Sequence, residues 1–190
     1  MSLALQIQTG LKEWASVCNA LRDGRQCMLL RKGGISETAG EFTVEHAQFL
    51  LFPTYLHQKL SNLKPEFRAG FEERSDEPGE VHLAVAGVVT DIIQLQTRGQ
   101  MDLIDDLHVW MPPLIDMRFN YRPENPLYLM LVRAYQLQQP ITIQNTPAYA
   151  GCKSWVPLDK PVDTQNAKPA MSDVAYKNTR EKISQLLQVV

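Results

Sequence analysis

Several elements of common catalytic centres are missing from this chain. A restriction-type nuclease core needs a carboxylate and a lysine separated by one position, so that the carboxylate holds Mg²⁺ beside the ammonium that stabilises developing charge. No Asp-x-Lys or Glu-x-Lys occurs; the nearest forms, Glu66-x-Arg68, Glu72-x-Arg74 and Asp116-x-Arg118, lack the lysine. There is also no P-loop, no G-x-S-x-G elbow and no H-E-x-x-H helix. Cysteine is scarce: Cys18, Cys27 and Cys152 lie far apart with no C-x-x-C pair. An odd, scattered set fits a reducing cytoplasm better than a disulfide framework. No apolar run approaches the roughly 18 residues of a membrane span, and the N-terminus carries no signal-peptide pattern. The expectation is a soluble cytoplasmic protein with no membrane partner and no cofactor.

An excess of charge is missing too. The 190 residues are 44% hydrophobic and 21% charged with a net charge of −2, an ordinary globular composition. A protein that met nucleic acid with its whole surface would be more basic, so any such contact requires a local patch. The first 35 residues supply one candidate, with Lys12, Arg22, Arg25, Arg31 and Lys32 against Glu13 and Asp23. Residues 66–80 have the opposite bias, with six carboxylates against Arg68 and Arg74.

What is present centres on Asp23 to Gln58. Met28, Leu29 and Leu30 form a short apolar run, so Cys27 to Arg31 reads as a strand between the turn formers Asp23-Gly24 and Gly33-Gly34. Arg31 and Lys32 then stand at a strand end beside a glycine loop, where backbone N–H groups and a fork-shaped guanidinium suit an anion. Phe42 and Val44 alternate with polar residues as a half-buried strand. Phe49 to Phe52 reads as a buried strand stopped by Pro53. His46 and His57 flank that run, each able to act as acid, base or ligand.

Along the chain, Leu11, Trp14, Val17, Cys18 and Leu21 recur at helical spacing, which predicts a helix over 11–22 with Trp14 as a core anchor. A helix is expected from Pro65 through Phe71, then an exposed loop at Ser75 to Gly79. Val81 to Leu95 reads as a long strand bent or bulged at Gly87, or as two strands meeting there. A short helix within 97–106 and a short strand at His108 to Trp110 follow, with Asp105, Asp106 and His108 read as a solvated turn rather than a metal site. Arg118, Tyr121 and Arg122 cluster before Pro123. Leu127 to Leu137 reads as a strand in which Arg133 requires a carboxylate or a polar site. After Tyr149 a glycine turn enters a last strand through Trp155. Cys152 beside Lys153 is a candidate nucleophile for a distant histidine. Residues 157–172 read as a linker and the tail as an amphipathic helix capped by Ser172 or Asp173, with Ile183, Leu186, Leu187 and Val190 facing its own core or a second copy.

The blocks LKEWASVCNALRDGRQCMLLRKGGI, GEFTVEH with FLLFPTY, RFNYRPENPLYLMLVRAY and YAGCKSWVPL occur in this order. In them the chain resembles the cyanobacterial family catalogued as domain of unknown function 1802, over about residues 10 to 160. The resemblance implies a link to DNA restriction, through relatives coupled to restriction-type nuclease domains, and carries no site residues. The segment ending in Arg31-Lys32 also resembles loosely the opening of the barrel in pseudouridine-synthase-associated RNA-binding domains.

The expected fold is α+β: residues 1–160 form one domain with a curved, mixed, mostly antiparallel sheet or small barrel and flanking helices, and 161–190 a linker and C-terminal helix. The expected function is a non-catalytic module for nucleic acid or a nucleotide-like ligand. Arg31, Lys32, Arg118, Arg122 and Lys153 would meet phosphates, and Tyr121, Tyr149 or Trp155 would stack on bases. The competing class is a small hydrolase or transferase using His46, His57 or Cys152.

Overall fold

The computed structural model describes residues 2–32, 35–38, 41–151 and 153–188. Cys152 and the Gly33-Gly34 turn lie outside the described residues, as does Val190 of the expected tail face. The chain builds one open, mixed sheet with helices packed on it. Its strands are β1 (Gln6–Trp14), β2 (Met28–Arg31), β5 (Gln48–Thr54), β6 (Glu80–Leu95), β7 (Leu127–Gln144), β8 (Trp155–Asp163) and β9 (Lys168–Pro169). The order is β2-β7-β6-β5-β1-β8, with β9 beside β7. Only β1 and β5 run parallel. A separate two-stranded sheet pairs β3 (Ile35–Thr38) with β4 (Glu41–Val44), whose Val44 packs against the larger core cluster.

The unbroken apolar run of β5 has a simple cause: the sheet is covered on both sides. Phe49 and Leu51 enter the larger core cluster, whereas Leu50 and Phe52 enter the smaller one on the opposite face, as the alternation of a strand demands. Pro53 does not end the strand; it pairs in register with Glu13.

The first predicted helix is half right. Residues up to Trp14 are strand, and only α1 (Ala15–Arg22) is helical. Backbone partners on both sides, β5 and β8, hold β1 extended despite its helical spacing. Gly24 ends this unit in the left-handed region at φ +66, where a Cβ would lie 2.4 Å from the Ala170 carbonyl oxygen, so only glycine fits.

The long strands β6 and β7 pair along most of their length. Their register shifts fall between Leu83 and Val85 and between Val89 and Asp91, not at Gly87. Gly87 instead makes room for packing, since a Cβ there would stand 2.8 Å from the Phe49 ring and 2.9 Å from Val132.

Between β6 and β7 come α2 (Gly99–Asp102) and α3 (Pro112–Asn120). The expected strand at His108 to Trp110 is a single bridge, Leu63 to Trp110. The expected helix from Pro65 to Phe71 reduces to 3₁₀ turns at Leu60–Asn62 and Pro65–Phe67. The two segments hold each other, Lys64 N–H donating to Val109 O and Met111 N–H to Asn62 O, both at 2.9 Å.

Residues 157–172, expected as a linker, carry most of β8 and all of β9, and β8 runs across the expected boundary after Lys160. The prolines that suggested a linker sit on an edge strand, where a missing N–H is tolerated. The tail helix α4 (Asp173–Leu186) is capped by Ser172, whose Oγ accepts from Ala175 N–H at 3.2 Å. Its Tyr176 and Ile183, with Leu187 just beyond, pack into the chain's own core. Arg133 finds the required carboxylate, 2.5 Å from Asp173, and lies 4.7 Å over the Tyr176 ring.

Candidate functional site

A cleft of about 960 Å³ opens where several element ends meet. The parallel strands β1 and β5 finish side by side at Trp14 and Thr54. The end of β2 brings Leu30, Arg31 and Lys32, and the end of α3 brings Arg118, Tyr121 and Arg122. The Leu56-His57 turn, the Glu77 to Gly79 loop, residues 145–151 and residues 153–154 close the other side. The lining includes six cations, Lys12, Arg31, Lys32, Arg118, Arg122 and Lys153, against two carboxylates, Glu13 and Glu77. The site is therefore positive within a chain whose net charge is negative.

The carboxylates are already engaged. Glu13 accepts from Arg31 Nη1 at 3.3 Å and from the Trp14 N–H at 2.9 Å. Both side chains of that ion pair are withdrawn from water, Arg31 at 12% and Glu13 at 5% exposure. Burial lowers the Arg31 pKa, Glu13 opposes that shift, and Arg118 adds to it by repulsion. Glu77 accepts from Tyr55 N–H at 2.9 Å and Leu56 N–H at 3.0 Å, holding the turn that carries His57.

The cations differ. Lys12 donates to the carbonyls of Tyr149 and Gly151. Lys32 donates to three carbonyls at the end of α3. Among the described residues, Arg118, Arg122 and Lys153 have no carboxylate partner. Arg118 lies 5.7 Å over the Trp14 ring and Arg122 5.3 Å over Tyr121, which is 55% exposed. Such a surface offers donors for an anion and flat faces for a ring.

Of the sequence candidates, Arg31, Lys32, His57, Arg118, Tyr121, Arg122 and Lys153 meet here. His46 and Trp155 do not line the cleft. They pack edge to face on each other at 5.3 Å, and Trp155 does the same with Phe49 at 5.5 Å. Trp155 is therefore half-buried packing, not a free stacking face. Tyr149 is at the cleft but buried, its hydroxyl accepting from Asp159 N–H at 3.2 Å. Cys18 and Cys27 are buried, and burial pushes both thiols up, Cys27 to about 12; neither is an activated nucleophile. Among the described residues no cluster of His, Cys, Asp or Glu is arranged to hold a metal, and Asp105 and Asp106 pair with Lys64 and Lys182. The sequence reading missed Lys12, Glu13 and Trp14 as cleft residues, because a helix over 11–22 would have turned them elsewhere.

The family model described as "Domain of unknown function (DUF1802)" matches residues 10–182. This chain belongs to the DUF1802 family. The match extends past the resemblance seen in the sequence, taking in β9 and most of α4, so the tail belongs to the family region. No curated protein sequence matches the chain. Crystal structures of two mutants of the ZmASCH protein from Zymomonas mobilis are similar, with TM-scores of 0.48 and 0.47 and identities of 11% and 12%. Each covers 80% of this chain, and 88% and 90% of their own. Among the described residues no helix is long and apolar enough to cross a membrane.

Proposed function

We propose that this cleft binds a single-stranded nucleic acid or a nucleotide-like anion without transforming it. The observation that carries the reading is the convergence of Arg118, Arg122 and Lys153, none with a carboxylate partner among the described residues, beside Trp14 and the exposed Tyr121. Unpaired cations crowded at the mouth of a partly enclosed cleft raise the local concentration of anions. In this reading the three meet phosphates, while the half-exposed aromatics accept a base. The buried Arg31–Glu13 pair shapes the inner wall. The resemblance to relatives coupled to restriction-type nuclease domains makes DNA the first ligand to test, with RNA beside it.

The test is fluorescence anisotropy with labelled single-stranded DNA, single-stranded RNA and a duplex over a series of salt concentrations. Three phosphate contacts give a log–log salt slope of about −2 on a single strand. Arg118→Ala combined with Arg122→Ala should flatten that slope by about 1.4. Absence of salt-dependent binding at micromolar protein, with a normal melting temperature, would sink the proposal.

A further inference from the structure

Lys32 was expected on a phosphate, yet its ammonium faces the protein. Nζ donates to the carbonyl oxygens of Phe119 at 3.1 Å, Tyr121 at 2.6 Å and Arg122 at 3.1 Å. An ammonium has three N–H donors, so these carbonyls take all of them. They belong to the end of α3, where the last C=O groups have no helical partner and the helix dipole favours a cation. The backbone there is unusual. Tyr121 N–H still reaches back to Met117 O at 2.9 Å, but Arg122 turns into the left-handed region at φ +46, and Asn125 N–H then bonds its carbonyl at 2.9 Å. A residue with a Cβ holds that conformation only where its surroundings fix it. The fixing group comes from the end of β2, some 90 residues earlier in the chain.

We infer that Lys32 is a positioning residue of the cleft: it anchors the terminus of α3 and so sets Tyr121 and Arg122 in place, without touching the ligand itself. The inference rests on the anion-binding reading for what those residues do, whereas the anchor stands on the protein's own geometry. A ligand then meets a turn already ordered, and less of its binding free energy goes into ordering side chains and backbone. The alternative, a direct phosphate contact, requires Lys32 to give up all three carbonyls, leaving that of Arg122 with its Asn125 N–H.

Two measurements on the full chain decide the matter. Hydrogen–deuterium exchange should show the amides of Tyr121 and Asn125 exchanging at least tenfold faster in Lys32→Met than in the parent, with Lys32→Arg, which keeps a cation at the carbonyls, in between. Unchanged exchange in Lys32→Met refutes the anchor, and Lys32→Arg supplies the comparison if the methionine variant does not fold. For single-stranded oligonucleotide, Lys32→Met should weaken binding severalfold alone but less than twofold in a chain already carrying Tyr121→Ala and Arg122→Ala, because groups that act through one another are not additive. An equal loss in both backgrounds, with the salt slope reduced by about 0.7 each time, means direct phosphate contact and overturns the inference. If no oligonucleotide binds the parent chain, the functional reading falls while the exchange result still decides the anchor.

Discussion

Lowering the pH from about 6.5 towards 4 should destabilise this protein, and the residue responsible is His108. Its side chain is fully withdrawn from solvent under the segment that leads into α3. Nδ1 accepts from Trp110 N–H at 3.2 Å, which only an unprotonated ring nitrogen can do. The ring is therefore held neutral. Burial pushes its pKa down from 6.5 to about 4, Lys64 adds to the shift, and Asp105 at 3.8 Å opposes it without prevailing. The sign follows from proton counting: below 6.5 the unfolded chain binds a proton that the folded chain refuses, so stability is full above that value and is lost as the pH falls. At about 1.4 kcal/mol per pH unit, the loss reaches about 2 kcal/mol at pH 5 and about 3 kcal/mol at pH 4. Asp91 and Asp106, whose pKa values are lowered from 3.8, lose their contributions below this window. Urea denaturation at several pH values measures the effect. His108→Asn, whose amide oxygen still accepts from Trp110 N–H but does not titrate, should flatten the curve between about pH 6.5 and 4. A wild-type protein equally stable at both ends, or an asparagine variant with the same slope, would refute the argument.

Trp155→Ala should lower the melting temperature by an amount equivalent to about 3 kcal/mol and leave the salt slope of oligonucleotide binding unchanged, because the indole packs on Phe49 and His46 away from the cleft; loss of affinity at unaltered stability would restore it as a stacking residue. Glu77→Ala removes the acceptor of the Tyr55 and Leu56 N–H groups and should cost about 1–2 kcal/mol by denaturant melts. The same variant should be cut faster by protease at Ser75 to Gly79, and an unchanged cleavage rate would count against the anchoring role.

The legible parts of the fold were those whose pattern depends on burial. The apolar run at Phe49 to Phe52 announces a strand covered on both sides, and the β-branched run from Val81 a long strand that opens with alternating burial. Leu11 to Leu21 misled because helical spacing is also produced by a strand that hands over directly to a short helix at Ala15. Residues 157–172 misled for another reason: an edge strand tolerates prolines and charges that would break an interior one, so its composition is that of a linker. The cleft's cations carried some signal in the sequence, since Arg31, Lys32, Arg122 and Lys153 stand within two residues of a glycine or proline, and the ends of β1, β2, β5 and α3 open onto the same cleft. Its carboxylates carried none. Glu13 and Glu77 look like ordinary surface charges, and only the fold shows that one is paired with Arg31 and the other holds a turn.

That division of labour among the charges bears on what the cleft can do. The two flanks are pinned by charges of opposite sign, Lys32 on the carbonyls of the α3 terminus and Glu77 on the N–H groups of the Tyr55-Leu56 turn. Neither pin needs a ligand, so the cleft is shaped in the free protein and a guest meets little ordering cost. What the pins leave is a surplus of positive charge that the protein's own residues do not neutralise. Arg118 also repels the buried Arg31, though less than Glu13 attracts it. Crowding like charges costs the free protein stability, and an anion that enters relieves the strain in addition to forming its own contacts. Elsewhere on the surface cations do have carboxylate partners, Arg180 with Asp91 and Lys182 with Asp106. In the proposed reading, Arg118, Arg122 and Lys153, which have no such partner among the described residues, are the groups an anionic ligand would meet.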